Sequence, residues 1–327
     1  RFMDNIIGHR LKIARSRAGM SLRDLAQKAG LSAQAISKYE RGLDTPSSRS
    51  LLRLAGALDL RVEYFFRSTS VNTKIAASFR AKKKVSARDQ KAMMAKIQDW
   101  LERYCEVESL FGVEGKCKIS KKHKVNSPED IEAAAAVIRG NFSLGTAPVL
   151  NLIEILEEKG IKVWRMEGHG KIDSCTFETE DGSPVIVINK KVDGKEVPGD
   201  RQLFSVCHEL GHLYLQLPGN MSNRRKEALL NRFAGAFLVP KEKAIIELGN
   251  RRTWLDFLEL HILKHKYGLS VQGWIHRAED LNIIGKSTPR KLFAAIEERG
   301  WREVEPGDQI PPERPKGMLM MVFRALE

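Results

Sequence analysis

Cysteine is scarce in this 327-residue chain, and the four present, Cys105, Cys117, Cys175 and Cys207, never form a CxxC pair. That argues against a disulfide-framed fold and against a cysteine-ligated metal, and it fits a reducing cytoplasm. Long apolar runs are missing as well. No stretch approaches the roughly 18 consecutive apolar residues that a membrane helix needs, so no membrane partner is expected. The segment from Arg10 to Arg17 is basic and broken rather than apolar, which gives no sign of a secretory signal. Internal repeats and low-complexity tracts are also lacking.

What is present is positive charge, and it lies on one side of the chain. The net charge is +14. Residues 1–127 hold 27 Lys/Arg against 12 Asp/Glu, and the remainder holds 28 against 29. The basic excess therefore belongs to the front part, and an anionic polymer such as nucleic acid is its expected partner. The length suits two domains rather than one core.

Apolar spacing gives the organisation. Residues 6–67 read as short helices with apolar positions three and four apart, with Ser21 and Ser32 as N-caps, Gly30 and Gly42 as stops and Pro46 beyond. This predicts an all-α domain over 1–67. Residues 68–85, with Lys82, Lys83 and Lys84, read as a basic connector. Residues 86–111 read as a helix striped by Met93, Met94, Ile97, Trp100, Leu101 and Tyr104, and 112–127 read as a second linker. Together 68–127 form a linker with one helix, a candidate dimer element. Ser127-Pro128-Glu129-Asp130 opens a helix with a cap, a proline and acids at its positive end. A second helix is expected over about Val149 to Lys159, then strands at Ile161 to Met166, Cys175 to Glu178 and Val185 to Asn189, then helices from Arg201. The expected class is mainly α with a small β-sheet, the back half being an α+β domain over 128–285, followed by an extension over 286–327.

The front domain carries the parts of a DNA-reading helix pair. A reading helix needs a partner that holds it at a fixed angle in the major groove. In Ser21 to Gly42, Ala26 is small where two helices meet, Gly30 permits the turn, and Leu31 and Ile36 anchor the second helix with its polar side outward. Residues 8–66 resemble the lambda-repressor-like (XRE) helix-turn-helix family, through Ser21-Leu22, Leu25-Ala26, Gly30-Leu31-Ser32 and Ile36-Ser37-Lys38-Tyr39-Glu40-Arg41-Gly42. The resemblance implies that double-stranded operator DNA is bound by Ser21, Ser32, Ala33, Gln34, Ser37, Lys38 and Arg41. Gln34 and Ser37 would meet base edges, and Ser21, Lys38 and Arg41 would lie near phosphates. Heads of this kind bind palindromic half-sites, so a homodimer is expected.

The back domain carries Cys207-His208-Glu209-Leu210-Gly211-His212, an HExxH pattern. On a helix, residues four apart share a face, so His208 and His212 can reach one zinc ion, with Glu209 as general base. Leu203, Phe204, Val206, Cys207, Leu210 and Leu213 make the helix largely buried, where unpartnered polar groups are costly. Zinc needs a third ligand, and Glu227 on the next helix is the candidate, with Asn231 one turn on to hydrogen-bond a ligand histidine. Glu242 and Glu247 are weaker rivals because they follow Pro240. Cys207 reads as a buried structural thiol rather than a redox sensor.

Residues 130–285 resemble the ImmA/IrrE family of zinc metallopeptidases, of the gluzincin group. The likeness rests on Pro184 to Asn189, Arg201 to His212, Glu227 through Asn231 to Pro240, and Tyr267 to Leu281. Leu230 departs from it, standing where the family usually has a small residue. With the head, the chain resembles fused XRE-plus-ImmA/IrrE regulators, the Trp301 to Pro306 segment included. That implies cleavage of a repressor or regulatory protein to control transcription. The strand Val185 to Asn189 reads either as the edge strand that in zincins pairs with a protein or peptide substrate, or as an ordinary sheet strand. His261, His265, Tyr267 and His276 are open candidates for stabilising an oxyanion. A non-catalytic regulator, whose zinc domain is structural or binds an effector or peptide, is the alternative; an intact Glu209 favours catalysis. The apolar run Met318 to Leu326 at the end of the sequence suggests a longer parent chain.

Overall fold

The computed structural model describes residues 2–67, 86–112, 119, 122–167, 174–179, 182–192 and 194–326. The basic connector at 68–85 and Cys117 lie outside the described residues. The chain divides into two compact units.

The first unit is all helical: α1 (Phe2–Arg17), α2 (Leu22–Ala29), α3 (Ala33–Glu40), α4 (Ser48–Leu58), a 3-10 turn (Val62–Phe66) and α5 (Ala87–Phe111). Local chemistry sets the boundaries. Ser21 and Asp24 form a reciprocal capping box at the start of α2, and Gly30 closes it in the left-handed conformation. Ser32 caps α3 by accepting from the Ala35 N–H at 3.0 Å. Leu11, Leu25, Ile36, Leu54 and Phe65 are fully buried between these elements. Gly8 lets α1 meet the end of α3: a β-carbon there would stand 2.2 Å from the Tyr39 carbonyl oxygen.

Helix α5 packs on α1. Its Met93, Ile97, Leu101 and Tyr104 are buried. Two arginines of α1 turn inward and find their counter-charges on it: Arg10 pairs with Glu102, and Arg17 meets Asp99 at 2.8 Å. Arg10 is 2% exposed, so its charge depends on that partner and on the Arg67 carbonyl, 3.1 Å from its Nε.

The second unit contains β1 (His123–Lys124), α6 (Pro128–Asn141), α7 (Leu152–Glu158), β2 (Lys162–Met166), β3 (Ser174–Glu178) and β4 (Pro184–Asn189). There follow β5 (Lys191–Val192), β6 (Lys195–Glu196), α8 (Gly199–Tyr214), β7 (Leu215–Gln216), α9 (Asn223–Leu238), α10 (Lys241–Leu248), α11 (Phe257–Tyr267), α12 (Val271–Asp280) and α13 (Thr288–Glu298). The chain then runs through an irregular stretch to α14 (Gly317–Leu326). Strands β2, β4 and β3 form a sheet in that order, β4 parallel to β2 and antiparallel to β3. Helix α8 packs on β3 and β4, and α9 packs on α8, α6 and α12.

The candidate edge strand is in fact the central one. Pro184–Asn189 pairs on both sides and every residue in it is buried. A run apolar on both faces is what a strand covered on two sides requires; among the described strands of this sheet the edges are β2 and β3.

Gly211 and Leu230 explain each other. A β-carbon on Gly211 would lie 2.9 Å from Phe233 Cδ1 and 3.0 Å from Leu230 Cδ2. The small residue at the α8–α9 crossing is on α8, and that leaves room for Leu230, 1% exposed, on α9.

The irregular stretch before α14 is built into this unit by three carboxylates. Glu305 accepts from Lys264 Nζ at 3.0 Å and from the Val271 and Gln272 N–H groups at 3.1 Å. Glu313 accepts from the Leu152 and Ile153 N–H groups at 3.0 and 2.7 Å. Glu157 accepts from those of Lys316 and Gly317 at 2.8 and 2.9 Å. Helix α7 therefore begins at Leu152 rather than near Val149. Asn151 has a left-handed backbone with φ of 55° and supplies no side-chain cap, and Glu313 caps the helix from far along the chain.

Candidate metal centre and nucleic-acid interface

Helix α8 is amphipathic in an unusual sense: one side feeds the core through Leu203, Val206, Cys207, Leu210 and Leu213, all buried. The other presents His208 and His212, whose rings lie 5.0 Å apart between centroids at 72°. Helix α9, brought close by Gly211, adds Glu227. One ligand atom from each of His208, His212 and Glu227 lies within 4.8 Å of the others. Neither Glu242 nor Glu247 joins them. Glu242 is exposed, and Glu247 is engaged by Lys266 Nζ and the Tyr267 hydroxyl, each at 2.7 Å.

The donor chemistry suits zinc. His208 Nδ1 lies 2.9 Å from Asn231 Oδ1. An amide oxygen only accepts, so Nδ1 is the donor in this bond, and in the neutral ring that tautomer leaves the lone pair on Nε2. That Nε2 faces Glu227 Oε2 at 3.3 Å. Two imidazoles and one carboxylate make a three-ligand set of the kind that leaves a position open for chemistry.

Glu209 sits one residue on and is 5% exposed. Its Oε1 accepts a hydrogen bond from Ser174 Oγ at 2.7 Å. Nothing in the sequence pointed to Ser174. It lies at the start of β3, and its register places it opposite Ile188. Cross-strand partners share a face, and Ile186 and Ile188 belong to the core packed on α8, so Ser174 points to the α8 side.

The sequence candidates for oxyanion stabilisation have other neighbours. Tyr267 donates to Glu247; burial, then the Glu247 hydrogen bond and charge, push its phenol up. His276 faces Glu279 and the Phe293 ring. The rings of His261 and His265 meet edge to face, 4.8 Å between centroids. Cys207 is fully buried, and burial pushes its thiol up, with Arg139 opposing in part, which suits a packing role.

In the first unit Ser21, Ser32, Gln34, Lys38 and Arg41 are exposed, and Ala33 and Ser37 are half-buried. Ile36 and Tyr39 bury the opposite side of α3. The hydroxyls of Ser21 and Ser32 cap α2 and α3, so their oxygens already accept from the backbone while their protons can still be donated. Arg41 Nε donates to the Ser37 carbonyl at 3.1 Å. Arg15 fixes the far end of α3 through a two-pronged pair with Glu40, at 2.6 and 2.8 Å.

No helix among the described residues is long and apolar enough to cross a membrane. Residues 11–65 match the model of the family described as Helix-turn-helix. Residues 156–279 match that of the IrrE N-terminal-like domain. Comparison with curated proteins and with solved structures gave no match.

Proposed function

We propose, for a chain that joins an XRE-type helix-turn-helix head to an IrrE/ImmA-like peptidase-family domain, that it is a transcription regulator with a zinc-dependent endopeptidase. In this reading the head binds operator DNA as a homodimer, and the second domain cuts a repressor or another regulatory protein, the chain itself included. The observation that carries the reading is the convergence of His208, His212 and Glu227 beside a buried carboxylate, Glu209.

His208, His212 and Glu227 would hold the zinc ion. When bound, zinc supplies Lewis-acid polarisation of a carbonyl and of a water. The protein supplies the rest. Glu209 takes a proton from the attacking water and delivers it to the leaving amine nitrogen. Asn231 holds the His208 ring so that Nε2 remains the donor atom. Strand β3, at the sheet edge beside α8, offers backbone groups along which an extended substrate can align.

The test is to incubate zinc-loaded protein with lysate of its host and to compare new protein termini with those made by Glu209→Gln. A small set of termini present only with the unaltered chain, together with loss of regulation in cells carrying Glu209→Gln, is the expected result. If no substrate is cut and Glu209→Gln regulates normally, the zinc domain is a structural or effector-binding module.

A further inference from the structure

The hydrogen bond between Ser174 and Glu209 links two elements that the sequence keeps 35 residues apart. A glutamate side chain has three rotatable bonds, and a base must present its carboxylate in one orientation to be useful. Core packing on α8 holds the backbone of Glu209, but packing on the stem does not fix the plane of the carboxylate. A donor 2.7 Å from Oε1 does. An ionised carboxylate only accepts, so the hydroxyl donates, and hydrogen bonds to charged groups are among the stronger ones.

We infer that Ser174 is a positioning residue for Glu209, fixing the carboxylate of the base from the edge strand of the sheet. The inference rests on the reading of Glu209 as the base. Its position has a further consequence. Strand β3 is held on one side by β4, through pairs from Ser174–Ile188 to Glu178–Pro184. A polypeptide that pairs with the other edge of β3 meets a base whose carboxylate the strand's own hydroxyl already holds. The alternation along β3 permits this: Cys175 and Phe177 are buried on one face, while Ser174 and Thr176 occupy the other. Thr176 is committed to the sheet by its bond to the Val185 carbonyl at 2.8 Å.

The experiment uses the full chain loaded with zinc and the variants Ser174→Ala, Ser174→Thr, Glu209→Gln and the double Ser174→Ala/Glu209→Gln. The probe is acetohydroxamate, a small metal chelator whose hydroxyl offers a proton to a neighbouring carboxylate. Zinc content is expected to be unchanged in all four. Calorimetric affinity for acetohydroxamate should fall about tenfold in Ser174→Ala, the scale of one hydrogen bond to a charged group. It should return close to the starting value in Ser174→Thr. In the Glu209→Gln background, Ser174→Ala should add less than about a twofold loss, because the partner is already altered. On whichever substrate the lysate experiment yields, Ser174→Ala should lower kcat and leave KM in place. Equal affinity in Ser174→Ala and the unaltered chain would overturn the inference, as would an undiminished loss in the Glu209→Gln background. Loss of zinc from Ser174→Ala would also overturn it, by making the serine a support of the whole site. Failure of the peptidase reading is distinguishable: no substrate is cut by the unaltered chain, while the calorimetric coupling between Ser174 and Glu209 persists.

Discussion

Replacing Glu305 tests whether the stretch before α14 is part of the second unit's core. Lys264 is fully buried, and its ammonium meets Glu305 Oε2 at 3.0 Å and Asp200 Oδ2 at 3.3 Å. Glu305 is 8% exposed and also caps α12 through two backbone N–H groups. Glu305→Ala removes one of two counter-charges from a buried cation. Breaking a buried pair outright costs about 3–5 kcal/mol. Lys264 keeps Asp200, which puts the loss at the lower end, about 3 kcal/mol. Loss of the cap adds about 1 kcal/mol. The sum, about 4 kcal/mol, is a large share of the roughly 5–15 kcal/mol that holds a domain together. Glu305→Gln keeps an acceptor oxygen and should cost about half as much. The assay is urea unfolding followed by tryptophan fluorescence. Trp164, Trp254, Trp274 and Trp301 belong to the second unit and only Trp100 to the first, so the signal reports chiefly on the unit in question. With a slope of about 2–3 kcal/mol per molar urea, the midpoint should fall by roughly 1.5 M for Glu305→Ala. The exposed neighbour Glu303 is the control. An unchanged midpoint in Glu305→Ala, or an equal fall in Glu303→Ala, would refute the reasoning.

Three further outcomes are expected. Asn231→Ala should weaken zinc binding about 10–100-fold, read by competition with a chromogenic chelator, while Glu209→Gln leaves it in place. Gln34→Ala should reduce the preference for the operator by about 1–3 kcal/mol, whereas Arg41→Ala should weaken specific and random DNA alike if it touches phosphate; filter binding at several salt concentrations separates the two. Burial holds the Glu313 carboxyl above its ordinary value of 4.5, against the lowering effect of the Ile153 and Leu152 N–H groups. The folded state then takes up a proton at higher pH than the unfolded one. The stability from that proton is present below about pH 4.5 and is lost as pH rises through the folded value. Urea midpoints of the unaltered chain should therefore gain on those of Glu313→Gln as pH is lowered from 7 toward 4.5, and a gap that moves the other way excludes the assignment.

Chemistry confined to one element could be read from the sequence, and chemistry shared between distant elements could not. The spacing of His208 and His212 is a property of one helix, and so are the Ser21–Asp24 and Ser127–Asp130 caps. Asn231 was legible because it lies one turn from Glu227 on a second amphipathic helix. The start of α7 was not, because its cap is the carboxylate of Glu313, 161 residues away from Leu152. Ser174 was not, because a serine at the head of a short strand has no signature until the sheet register turns it toward α8. The edge reading of Val185 to Asn189 failed for a different reason. Its unbroken apolar run was itself the mark of a strand covered on both faces, and the edge reading came from zincin architecture instead.

The fit between Gly211 and Leu230 constrains the order in which this protein can change. A methyl group at position 211 meets Phe233 and Leu230 at about 3 Å while leucine stands at 230, so Gly211→Ala as a first step has to displace two buried side chains where the helices that carry the histidines and Glu227 cross. Trimming Leu230 first opens space for one of those two contacts, and Gly211→Ala then has only the Phe233 ring to displace. The two substitutions are therefore not interchangeable steps. A lineage, or a directed-evolution experiment, that passes through the smaller residue at 230 reaches alanine at 211 with one side chain to displace, and one that begins at 211 must displace two at once.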